Sequence, residues 1–69
     1  MSSTSEATVI VNGVSLTQGQ AMTMRVALSA FLHEMSEPTA LGTDEHGRAM
    51  TDLYRLASDR IIQLMIGQQ

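Results

Sequence analysis

Between residues 21 and 35 the apolar side chains Ala21, Met24, Leu28, Phe31 and Met35 recur only at spacings of three and four, the period of one face of an α-helix. A second series, Met50, Leu53, Ala57, Ile61 and Leu64, repeats the pattern after a break marked by Pro38 and Gly42. Two amphipathic helices joined by a short connection lie antiparallel as neighbours. The spacing therefore predicts a helical hairpin whose core is made of these two seams.

The ends of the helices are marked as well. Thr17 followed by Gln20 matches a capping box, in which each side chain satisfies a free backbone N–H of the other residue, and Pro38 cannot continue a helix. Helix one is thus expected over 18–36. Thr43 or Asp44 is the expected cap of helix two, with Asp44 and Glu45 near the positive end of its dipole and Gly67 as its stop, so helix two is expected over 43–66. Gly47, inside the first turn, is expected to weaken that end by up to ~1 kcal/mol relative to Ala.

Upstream, Thr8, Val9, Ile10 and Val11 lead into Asn12-Gly13, a dipeptide that tolerates the positive φ of a tight turn, and Val14, Ser15 and Leu16 resume an extended pattern. Residues 8–16 therefore form either one strand with a bend or a small hairpin. A lone hairpin is marginal in water, so it is expected to lie on the helices or to pair with a second copy. Residues 1–7 are small and polar and are expected to be a disordered tail, leaving a single domain over 8–69. The predicted class is mainly α: a short N-terminal strand or hairpin followed by an antiparallel pair of helices.

Composition narrows the function. The chain has 69 residues, no Cys and two His, which leaves neither disulfides nor a zinc site to staple so small a core. Oligomerisation is the remaining staple. Met22 and Val26 lie opposite the seam of helix one, and Ile62 and Ile66 add to that of helix two, so the apolar surface exceeds what one hairpin can bury. A homodimer is expected on that ground. Four Arg, no Lys and seven acidic residues give a net charge of −3, which argues against a direct nucleic-acid binder. No targeting leader or membrane span is recognisable, so a cytoplasmic protein without a membrane partner is expected.

Catalytic patterns are missing. Asp44, Glu45 and His46 are consecutive, and on a helix such residues diverge by about 100° each, so they suit capping better than metal binding. There is no Gly-x-Ser-x-Gly elbow and no phosphate-binding loop. The chain is expected to be no enzyme and to carry no cofactor or metal. Asp44, Arg48, Asp52, Arg55 and Asp59 alternate in sign along one stripe of helix two, as on a solvated face.

The runs NGVSLTQGQAMTMRVALSAFL, from Asn12 to Leu32, and LGTDEHGRAMTDLY, from Leu41 to Tyr54, resemble a family of small early proteins of Mu-like temperate phages of Pseudomonas, in particular anti-quorum-sensing proteins that act as anti-activators. The resemblance implies a homodimer of helical subunits, made in the cytoplasm of the infected bacterial host. It further implies binding to the DNA-binding domain of the quorum-sensing activator LasR, and a second target, the type IV pilus assembly ATPase PilB, whose inhibition excludes further pilus-dependent phages. It assigns no contact residues. The pattern of the chain itself nominates Met22, Arg25, Val26, Ser29, His33, Glu37 and Leu41 as a partner-binding face, because they lie off the seam and mix apolar anchors with polar groups. The stripe Asp44, Arg48, Asp52 and Arg55 is the alternative face.

Two other readings fit the order of elements. Strand, helix, helix is also the order of a ribbon-helix-helix repressor, whose paired strands enter the major groove of DNA. Here Thr8, Ile10 and Asn12 share one strand face and Val9 and Val11 the other, with no Lys or Arg between them. A plain structural dimer is the remaining alternative.

Overall fold

The computed structural model describes residues 6–67, so most of the expected N-terminal tail lies outside the described residues, as do 68–69. The order of elements is β1 (Ile10–Val11), β2 (Val14–Ser15), α1 (Gln18–Met35) and α2 (Glu45–Met65). Residues 8–16 form the hairpin. Asn12 at φ 51° and Gly13 at φ 79° both occupy the left-handed region, as the two central residues of a type I′ turn do, and that turn matches the twist of the strands it joins. Val11 pairs with Val14 and Ile10 with Ser15, and the Leu16 N–H donates to the Val9 carbonyl at 2.8 Å.

Helix α1 starts where its capping box predicts. The Thr17 hydroxyl accepts the Gln20 N–H at 3.1 Å, and the Gln20 side chain accepts the Thr17 N–H at 2.9 Å. Asp44 caps α2 by accepting the Gly47 N–H at 2.8 Å. Both helices are slightly shorter than the expected 18–36 and 43–66, because Thr43, Asp44, Ser36 and Ile66 serve as flanks and caps outside the helical spans. Between the helices the chain turns through backbone bonds from Ala40 N–H to the Glu37 carbonyl and from Gly42 N–H to the Thr39 carbonyl.

The packing departs from the expected seams. Helix α1 does turn Ala21 and Met35 fully inward, with Leu28 and Phe31 half-buried and Met24 at the margin. Helix α2 does not bury Leu53, Ala57, Ile61 or Leu64, and Met50 is only half-buried. It is rotated so that Gly47, Thr51, Ser58 and Met65 are its buried residues, at spacings of four, seven and seven that keep them on one helical face. Leu53, expected in the core, is 55% exposed.

Gly47 explains the rotation. A Cβ there would lie 2.8 Å from both the Leu41 carbonyl oxygen and the Gly42 Cα, far inside van der Waals contact, so only glycine lets the connection close onto α2 at this point. Thr51 completes the joint: its hydroxyl donates to the Gly47 carbonyl at 2.8 Å and accepts the Leu41 N–H at 3.1 Å. The buried hydroxyl is thereby satisfied. The expectation that Gly47 merely weakens the helix start is corrected: it sits at the closest approach of helix and connection.

A second tie holds the hairpin arm. The Glu6 carboxylate accepts from Arg25 Nε at 3.0 Å and Nη2 at 2.9 Å, and the Glu6 N–H donates to the Gln18 side chain at 3.3 Å. The hydrogen bond from Arg25 holds the Glu6 carboxyl below the ordinary glutamate range, outweighing the upward push of burial.

Three substitutions test this packing in unfolding experiments read by circular dichroism at matched protein concentration. Gly47→Ala should destabilise by roughly 1–3 kcal/mol, as forced overpacking does. Gly19→Ala, in α1 with open space around its Cβ position, should stabilise by about 0.5–1 kcal/mol. Glu6→Gln should lower the melting temperature at neutral pH and make no difference in acid. The lowered folded pKa means that the ion pair stabilises fully above the unfolded value and is lost as the pH falls through the folded one.

Candidate interaction surfaces

Among the described residues no group of three or more His, Asp or Glu converges as metal ligands, and no helix is long and apolar enough to cross a membrane. What the molecule offers instead is surface. Among the described residues only Ala21, Met35 and Met65 are buried and apolar, against thirteen large apolar side chains left exposed, so the folded hairpin does not enclose its own hydrophobic material.

The rings of Phe31 and Tyr54 meet edge to face with centroids 5.8 Å apart, which fixes the flanks of the two helices that lie on the same side. At about 100° per residue, the flank of α1 with Phe31 also carries Met24 and Ala27, and the flank of α2 with Tyr54 also carries Leu53, Ala57, Ile61 and Leu64. These residues are exposed, and together they make one broad apolar face across both helices. A contiguous face of this kind marks an interaction site.

The opposite side gathers the two sets nominated from sequence. By helical periodicity, Met22, Val26, Ser29 and His33 of α1 are exposed on that side, as are Arg48 and Asp52 of α2 near the connection. Arg25 does not join them as an outer residue: it is half-buried and held by Glu6. Near the connection an open groove of about 730 Å³ has Met35, Pro38 and Ala49 along its apolar part and Glu45, Arg48, Asp52 and Arg55 along its charged part. Asp52 is paired with Arg55, and the Arg48 side chain donates to the Thr43 carbonyl at 3.0 Å. Leu41 is exposed beside the connection and is anchored by its backbone to Thr51.

Charge is segregated along the molecule. Glu6 is matched by Arg25 and Asp52 by Arg55, and Asp59 is followed directly by Arg60. The excess of −3 lies between residues 34 and 48, where Glu34, Glu37, Asp44 and Glu45 stand with one Arg48. Asp44 and Glu45 suit the start of α2, but Glu34 and Glu37 sit at the negative end of the α1 dipole, where carboxylates are unfavourable. Among the described residues neither forms an ion pair; the Glu37 carboxylate accepts only the Thr39 hydroxyl, at 3.1 Å. Sequence spacing gave Glu37 a place in the partner face but missed Glu34 and Glu45, because the acidic end forms only when the connection folds back.

No protein-family model, curated protein or solved structure matches this chain.

The placement of α2 can be checked with single thiols, since the chain has no cysteine. At high dilution, Leu53→Cys should react with a thiol reagent at least about ten times faster than Ser58→Cys, since exposure governs access to the thiolate. Equal rates would return Leu53 to the core.

Proposed function

We propose that this protein is a phage anti-activator that acts by binding alone. As a homodimer joined through its apolar face, it occupies the DNA-reading surface of a LasR-type quorum-sensing activator with its acidic connection end. The reading takes its target from the resemblance to small early proteins of Mu-like phages of Pseudomonas. Its physical support is the segregation of charge: carboxylates without an ion pair among the described residues, near a partly apolar groove, are complementary to a surface built to hold phosphates. Carboxylates kept at the wrong end of a helix dipole cost stability, which favours a binding role for them over a structural one.

The action needs no cofactor and no turnover, and it takes place in the cytoplasm of the infected host. The pilus assembly ATPase PilB is the second proposed target. The repressor reading finds no favouring observation, because the hairpin carries no basic residue.

The test is displacement of fluorescent promoter DNA from the activator's DNA-binding domain, followed by anisotropy, with direct binding of the two proteins measured at rising salt. Addition of the protein should release the DNA, and the protein–protein affinity should fall with salt. Replacing Glu34 and Glu37 together by Lys should raise the half-inhibitory concentration at least about tenfold. The same change should raise stability by about 0.3–1 kcal/mol per site through the helix dipole, so the loss of inhibition will not trace to unfolding. Sub-micromolar binding of the protein to the DNA itself would install the repressor reading instead. Inhibition that survives the Lys pair and disappears in Met22→Glu or Val26→Glu would move the site to the outer side of α1.

A further inference from the structure

The hairpin arm presents an open strand edge with which no further strand pairs among the described residues. Its ladder bonds fall at Val11 with Val14 and at Leu16 with Val9, so by the alternation of an antiparallel pair the N–H and C=O groups of Ile10, and of Thr8 one pleat earlier, point away from β2. Natural sheets blunt such an edge with charges, proline or a bulge. This one has none: from Ala7 to Met24 there is no charged residue and no proline, and Ile10 and Val14 are 62% and 63% exposed. The tie of Glu6 to Arg25 and Gln18 pins the base of the arm, so its edge is presented in a fixed place.

We propose that β1 pairs antiparallel with β1 of a second copy across a two-fold axis, with Val9 opposite Val9 and Thr8 opposite Ile10. This register uses the outward groups of both Thr8 and Ile10 in each copy. A register centred on Ile10 would set Thr8 against Asn12, whose left-handed backbone ends the strand. The joined hairpins make a sheet of four strands, past the minimum of three at which a small sheet with an apolar face becomes stable by itself.

Charge selects a second copy as the occupant. The arm is neutral and the excess negative charge lies at the opposite end of the hairpin, so two copies meet at the arms without repulsion and keep their acidic ends apart. The one carboxylate at the base of the arm, Glu6, is already bound to Arg25. The inference rests on the homodimer reading and extends it: a closed dimer requires that strand edges and apolar helix faces share one two-fold axis, since separate axes would propagate a chain of molecules.

The full chain, free of native cysteine, allows a direct test. Opposed residues in a non-hydrogen-bonded antiparallel pair have Cα atoms about 4.5 Å apart, which suits a disulfide. Val9→Cys should oxidise to a covalent dimer of unchanged helicity, whereas Val14→Cys on the other strand should stay unlinked at the same concentration. Ile10→Pro removes the outward N–H while sparing the bonds within the hairpin, and should weaken the dimer at least about tenfold in sedimentation or light scattering. A dimer of unaltered affinity in I10P, or crosslinking at Val9 no faster than at Val14, would overturn the strand pairing and leave the homodimer reading standing. A wild-type chain that stays monomeric throughout the micromolar range would overturn both.

Discussion

The close approach of α2 to its own connection at Gly47 governs the rest of the molecule. Only a residue without a Cβ admits the Leu41 carbonyl and Gly42 at that distance, and the Thr51 hydroxyl then locks the connection to the helix through Leu41. Once Gly47 and Thr51 face inward, helical periodicity brings Ser58 and Met65 in with them and turns the bulky apolar side chains onto a flank. The helix gives up burial of its largest hydrophobic residues to a local backbone constraint. The single chain is consequently poor in core and rich in apolar surface.

That rotation also separates the two sides of the hairpin. One side joins Met24, Ala27 and Phe31 to Tyr54, Leu53 and Ile61, with the Phe31–Tyr54 ring pair at the seam between the helices. The other carries the charged stripe of α2 and the mixed outer residues of α1. The apolar and the charged surfaces of the hairpin thus lie on different sides, so either can be covered without hiding the other. Charge adds a lengthwise division: a neutral arm at one end and, at the other, Glu34 and Glu37 with no ion-pair partner among the described residues.

The chain departs most visibly from helix-stabilising charge placement at the C-terminus of α1. His33 is the only residue of the last turn whose side chain can supply favourable charge, while Glu34 and Glu37 oppose the dipole and have no ion-pair partner among the described residues. A chain optimised for helix stability would carry Lys or Arg there. The acidic end thus departs from the local rules that the capping box of Thr17 and Gln20 and the type I′ turn of Asn12 and Gly13 obey closely.

What the sequence determined by itself is the set of local elements. The capping box placed the start of α1, Asn12-Gly13 placed the turn, Pro38 excluded any continuation of the helix, and the three-and-four spacing identified both helices, because each of these signals acts within a few residues along the chain. The excess of apolar surface was legible too, as a matter of amount. Which residues of α2 face α1 was decided only in three dimensions. The helix carries two overlapping stripes, both at helix-compatible spacings, one apolar through Leu53 and Ile61 and one of small or polar residues through Gly47, Thr51 and Ser58, and periodicity cannot choose between them. The choice falls to the connection, whose approach at Gly47 and hydrogen bond to Thr51 join residues ten apart in sequence. The acidic end and the ion pair of Glu6 with Arg25 arise in the same way, from charges that the folded backbone brings to one place.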